Sequence, residues 1–308
     1  MKFLLPYCEI INQRPGLKGA FEITEKAGRI CYHSWKNIKD GSAEKFVERM
    51  VSSGHFGMVE HSTIYLTISG NNSKYSKNDF DIEKYSRNPY SKVIKEEFNN
   101  GDYTAYVTTN YHVIIENNWL DDIKNYISEN NIPTKHERRI TFLVHVDRIT
   151  GESFLRHRTV QSDELPLEDV PIHIDDFSFS YARESTRFVN FSKGEFSKDI
   201  KFIIPRIVTD NSEVLLTNSS EDDATQEWIN SCSNAEKHYM NLIEKGWPPQ
   251  YARYSLGFSI YSPLIMTAFS SDWNKFFALR CSDSKIGKPH PDASFIADMA
   301  REQIKNLK

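Results

Sequence analysis

The sequence predicts an α+β fold: a single mixed domain over residues 1–308, in which a twisted β-sheet is flanked by helices. Three observations carry this expectation. Segments 62–69 and 140–146 alternate in the manner of half-buried strands, and amphipathic stripes recur at helical spacing in the last third. No internal repeat or shift in composition marks a domain boundary. There is also no G-x-G-x-x-G after a strand and no G-x-x-x-x-G-K-[ST], so neither a Rossmann motif nor a P-loop is present.

Ala43 to Gly54 reads as a helix, with Phe46, Val47, Met50 and Val51 on one face and Gly54 as its stop. Ile64, Leu66 and Ile68 share one side of the first strand; Ile140, Phe142, Val144 and Val146 share one side of the second. Between them a polar, Asn-rich stretch, roughly 70–101, reads as an insertion or long excursion. Thr104 to Ile115 is β-rich, and Asn117 to Ser128 predicts a helix. Three helices follow: one through Trp228, Cys232, Ala235, Tyr239 and Leu242; one over Pro263 to Arg280 with Phe269, Trp273, Phe276 and Phe277; and one over Asp292 to Leu307.

Composition excludes several classes. Hydrophobic residues make up 39% and charged residues 26%, so the chain is neither disordered nor membranous. Its apolar runs fall short of a bilayer span, and the apolar stretch at the start is too short for a signal peptide, which leaves the cytoplasm as the expected compartment. With 42 acidic against 38 basic residues, the net charge of −4 disfavours nucleic acid and anionic lipid. Any anion site must be local. Cys8, Cys31, Cys232 and Cys281 form no C-x-x-C pair and read as small buried hydrophobes. His55 and His61 have no standard zinc spacing, and no metal site is expected.

The most informative local feature is Arg156-His157-Arg158, followed after a gap by Glu184-Ser185-Thr186-Arg187. Clustered cations are costly unless an anion neutralises them, and guanidinium with hydroxyl donors suits a phosphate monoester. Taken alone, an RHR triplet also fits a solvated basic turn. Arg253 and Arg280 add cations in aromatic surroundings. Arg280 ends a run with Phe276 and Phe277, and it could cap helix carbonyls or present a fixed cation to a planar ligand. Its pKa is too high for proton abstraction, so a catalytic Arg280 would stabilise a developing anion.

On these residues the chain resembles the flavin-dependent thymidylate synthases. That family's signature is RHR, seven residues, then Ser, continuing in close relatives as S-F-A-Q-E-S-T-R-Y-C-N-Y-S-K; Ser180 to Lys193 matches the continuation. Further blocks are Ala27 to Tyr32, Gly54-His55-Phe56 with Val59-Glu60-His61, Val107 to Tyr111, Pro249 to Arg253, Met266 to Phe269, and Ser271 to Arg280. The resemblance implies a family-specific fold and methylation of dUMP to dTMP, with methylenetetrahydrofolate as carbon donor and FAD, reduced by NADPH, as reductant. It implies dUMP contacts from Ser153, Arg156, Glu184, Ser185, Arg187 and Arg253. Arg280 would act on the uracil. FAD contacts would come from His55, Glu60, His157, Arg158, Arg183, Ser271 and Lys275. It further implies a homotetramer whose sites draw on several subunits, which explains FAD binding without a Rossmann motif. Reduced flavin carries the chemistry in this family, so no cysteine nucleophile is needed.

Two departures stand out. Between Arg158 and Ser185 lie 26 residues in place of seven, with the extra length near 160–178. Thr159 to Ala182 holds six acidic residues, two prolines and no Lys or Arg. Lengthening a flexible loop this much costs only about 1.2 kcal/mol of closure entropy, so a surface excursion is tolerable. The alternative is an acidic arm over the pocket, making the chain a catalytically impaired nucleotide-binding relative. The second departure is Arg183, where relatives usually have Gln, Asn or Glu.

Overall fold

The computed structural model describes residues 1–71, 80–99, 101–156, 179–187, 189–193, 200–211 and 223–307. His157, Arg158 and the expected insertion at 160–178 lie outside them. In chain order the strands are β1 (Lys2–Leu4), β2 (Tyr7–Ile10), β3 (Thr63–Asn71), β4 (Lys92–Glu97), β5 (Asp102–Asn110), β6 (Arg139–His145), β7 (Ser180–Arg183), β8 (Lys201–Ile203) and β9 (Leu264–Phe269). The helices are α1 (Gly16–Cys31), α2 (Ser42–Ser52), α3 (Phe56–Val59), α4 (Glu83–Ser86), α5 (Tyr111–Glu116), α6 (Leu120–Tyr126), α7 (Arg148–Leu155), α8 (Arg206–Asn211), α9 (Asp223–Glu244), α10 (Pro249–Ala252), α11 (Ser270–Arg280) and α12 (Pro291–Lys305).

The α+β class is as expected, but the strands divide among three sheets. One is antiparallel in the order β2-β6-β9-β7, a second is antiparallel in the order β3-β5-β4, and β1 pairs in parallel with β8. The central pair sets the layering. Alternation along β6 sends Ile140, Phe142 and Val144 into a core with Leu264, Met266, Trp273, Phe276 and Ile296, which seats α11 and α12 on that face. Leu143 and Ile265 point the other way, onto Ala27, Ile30 and Cys31 of α1. Trp273 fills the first core edge-on to Phe142, and its indole N–H donates to the Ile140 carbonyl at 3.0 Å, so its polar edge is not left unmet.

Three expectations are corrected or refined. The stretch Pro263 to Arg280 is not one helix: Leu264–Phe269 is strand β9, and helix α11 begins only at Ser270. Every β9 residue is buried, and an apolar run buried on both faces carries no period that separates strand from helix. The β-rich segment at 104–115 turns helical at Tyr111, where the Asn110 side chain accepts from the Val113 N–H at 3.0 Å as an N-cap. The Asn-rich excursion contains α4 and the edge strand β4. The helix expected from residue 43 stops as read, with Gly54 at φ +70°, a conformation that suits glycine. Among the described residues, no helix is long and apolar enough to cross a membrane.

Candidate functional site

Three groups of side chains gather around the β2-β6-β9-β7 sheet. The first forms where α7 ends. Asp147 caps the start of α7, accepting from the Thr150 N–H at 2.9 Å and its hydroxyl at 2.7 Å. Arg156 stands just past the last turn. Arg280, the final residue of α11, donates from Nη2 to the Ser153 carbonyl at 3.1 Å. It therefore caps a helix C-terminus, that of α7 and not its own, while lying beside Arg156. Burial and then the charge of Arg156 pull Arg280 below its ordinary pKa, with Tyr181 acting in the opposite direction. Two neighbouring guanidiniums of this kind favour an anion between them. The Ser153 hydroxyl turns back to the Thr150 carbonyl at 2.7 Å.

The second group follows β7. The Ser185 N–H donates to the Cys31 carbonyl at 2.9 Å, and the Ser185 hydroxyl accepts from the Arg187 N–H at 3.3 Å. Arg253, just after α10, donates to the Thr186 hydroxyl at 3.2 Å. Both line a cleft of about 390 Å³ with Arg148, Tyr254 and Phe258. Arg148 was not expected from the sequence, since a single arginine after a strand gives no signal. Glu184, expected to bind dUMP, has its carboxylate buried against His33, with Oε2 2.7 Å from Nδ1.

The third group surrounds Arg139, also unforeseen. This side chain is 8% exposed and donates to the Glu60 carbonyl at 3.1 Å and to the Ser180 hydroxyl at 3.2 Å. Its guanidinium lies over the Phe269 ring at 5.6 Å. Burial pushes its pKa down to about 10, opposed by Tyr65, Glu60 and Asp272. Arg139 thereby joins two stretches far apart in sequence. On one side is Glu60, whose neighbour His112 stacks on Phe56; His55, five residues before Glu60, lies 3.4 Å from the Tyr32 hydroxyl. On the other is the start of α11, where the Ser271 N–H meets Glu137 at 2.9 Å and Lys275 lies 3.7 Å from the fully buried Asp272.

Arg183 does not join that group. Its Nε donates to Ser262 at 2.7 Å, Nη1 to Glu152 at 2.8 Å and Nη2 to the Arg148 carbonyl at 2.9 Å. These contacts commit it as a strut under α7, where Gly151 allows the close approach: a Cβ there would lie 3.0 Å from Nη2. Burial and the nearby Arg148 lower its pKa to about 10. The four cysteines are buried and free, and burial raises each thiol: Cys31 to about 11 and the others to about 12. None is poised as a nucleophile.

A flavin-dependent thymidylate synthase of Mycobacterium marinum is 35% identical over 54 residues, 17% of this chain and 22% of that protein. The enzyme of the same name from Mycobacterium avium is 33% identical over the same length and shares. The chain thus matches about a fifth of the length of these curated relatives. Among solved structures, the UMP/dUMP methylase PolB of Streptomyces cacaoi, bound with 5-Br UMP, aligns at a TM-score of 0.42 and 14% identity, over 100% of this chain and 92% of that one. The profile of the thymidylate synthase complementing proteins matches residues 73–302, three-quarters of the chain, and the chain belongs to that family.

Proposed function

We propose that the chain methylates dUMP to dTMP, taking the carbon from methylenetetrahydrofolate and using FAD, reduced by NADPH, as reductant. The observation that carries this reading is the convergence of Arg280 and Arg156 at the end of α7, together with the arginine cleft over Thr186. In this reading Ser185 and Arg187 take the phosphate, Arg156 and Arg253 complete the nucleotide site, and Arg280 stabilises negative charge on the uracil. A cation already fixed by the Ser153 carbonyl needs little reorganisation when that charge develops.

The third group fits a flavin. Arg139, whose Nε is buried without a hydrogen-bond partner, donates to the Glu60 carbonyl, and in this reading Glu60 joins His55, Ser271 and Lys275 in holding the flavin. Together they offer the mixed donors and acceptors that an isoalloxazine edge requires. When bound, flavin supplies the hydride and relays the one-carbon unit; the chain's residues hold and orient the reactants. Arg183 is spent elsewhere and is left out of this set. The assembly is a cytoplasmic homotetramer with shared sites.

The test is spectroscopic. Purified protein with added FAD should become a yellow complex, and after NADPH reduction the flavin should reoxidise on adding dUMP and methylenetetrahydrofolate, with dTMP formed. A protein that refuses FAD, or reoxidises it without dTMP, would overturn the reading.

A further inference from the structure

We propose that His33 is a positioning residue for the nucleotide segment: its Nδ1 keeps the Glu184 carboxylate turned away from the ligand, so that Ser185 and Arg187 meet an anion without a competing negative charge. The inference rests on the proposed role of residues 184–187 in binding dUMP. A carboxylate immediately before the phosphate-binding serine is an electrostatic problem, because two anions at contact distance repel and burial amplifies the repulsion. The structure answers it from the end of α1.

That end is built for the task. His33 adopts φ +47°, in the left-handed region that few residues besides His, Asn, Asp and Gly enter readily. The turn closes with the His33 N–H on the Ile30 carbonyl at 3.2 Å and the Ser34 N–H on the Arg29 carbonyl at 2.9 Å. Its geometry brings the imidazole 2.7 Å from Glu184 Oε2. Two residues earlier, the Cys31 carbonyl takes the Ser185 N–H at 2.9 Å. The turn therefore clamps two consecutive residues of the segment, one by side chain and one by backbone. From the opposite side the Pro263 carbonyl accepts the Glu184 N–H at 3.1 Å. The Glu184 carboxylate also faces Tyr261, whose hydroxyl is raised first by burial and then by that charge. Glu184 is 3% exposed, so its carboxylate is turned inward and not offered to the cleft.

The test titrates the FAD-loaded full-length protein and its variants with dUMP calorimetrically. His33→Ala should weaken dUMP by about tenfold or more with FAD affinity retained, and His33→Asn, whose amide nitrogen falls where Nδ1 was, should restore affinity to within about threefold of the parent. Adding Glu184→Gln to His33→Ala should recover most of the loss, because it removes the stray charge. Parent protein that does not bind dUMP would overturn the functional reading and this inference with it. Parent binding with no loss in His33→Ala overturns the inference alone. So does a double variant no better than the single one, since Glu184 would then be a ligand contact. Should His33→Ala fail to fold, His33→Asp and His33→Asn both tolerate the backbone. Asp should then bind dUMP about tenfold more weakly than Asn, and equal affinities would refute the clamp.

Discussion

Replacing Arg280 with alanine separates chemistry from binding. The side chain makes a charge-assisted bond to the Ser153 carbonyl, and the charge of Arg156 lowers its pKa. Losing such a bond costs about 1.5–3 kcal/mol, and relief of the like-charge contact returns part of that. A net loss near 1 kcal/mol corresponds to a melting shift of about 2–4 °C for a chain of this size. The kinetic cost should be larger. A positioned donor facing developing negative charge accounts for about 10²–10³ in turnover. dUMP affinity should fall less, by about tenfold at most, because Arg156, Arg187 and Arg253 remain to hold the nucleotide. The assay is single-turnover dTMP formation at saturating dUMP, with dUMP affinity measured separately on oxidised enzyme. Turnover within about threefold of the parent would remove Arg280 from the mechanism. Lost dUMP affinity with turnover at saturating dUMP unchanged would make it a binding residue only.

Other expectations follow from the same geometry. Arg183→Gln, the residue type usual in relatives, removes contacts to Ser262, Glu152 and the Arg148 carbonyl and should cost about 1–3 kcal/mol in urea unfolding; an unchanged midpoint would dismiss the strut. Trp273→Ala leaves a hole beside Phe142, Phe179 and Phe276 and should lower stability by about 3–5 kcal/mol at constant m-value. His136 is buried between Tyr65 and Tyr106, and burial, then Arg138, lowers its pKa to about 4. The unfolded chain binds that proton first, so stability should fall as pH drops from the ordinary histidine value toward 4, by at most about 1.4 kcal/mol per pH unit. His136→Gln should flatten that slope in acid unfolding, and an identical slope would refute the assignment.

Much of the fold can be read from periodicity where one face meets water. The helix at residue 43 and the alternation of Ile140, Phe142 and Val144 are of this kind. Strand β9 escapes because α11 and α12 cover one side and α1 the other, which erases any two-residue pattern. Strand β4 escapes for the opposite reason: as an edge strand with partly exposed faces it looks like polar loop. The site divides in the same way. Arg156, Ser185 and Arg187 belong to short motifs whose chemistry is local. Arg139 and His33 act through contacts to residues far along the chain, so nothing beside them in sequence announces their roles. Arg183 illustrates the reverse: its motif position suggests a ligand contact, and its partners make it internal.

The long interval between β6 and β9 bears on how the chain is made. β6 has β2 available on one edge as soon as it leaves the ribosome, but its other edge waits for a strand that arrives about 120 residues later. At ordinary translation speeds that wait is roughly 6–25 s, during which Phe142 and Val144 lack the helices that later cover them. Nascent chains stalled in this window should be the ones that bind chaperones, and the arginines of the nucleotide site can assemble only after it closes.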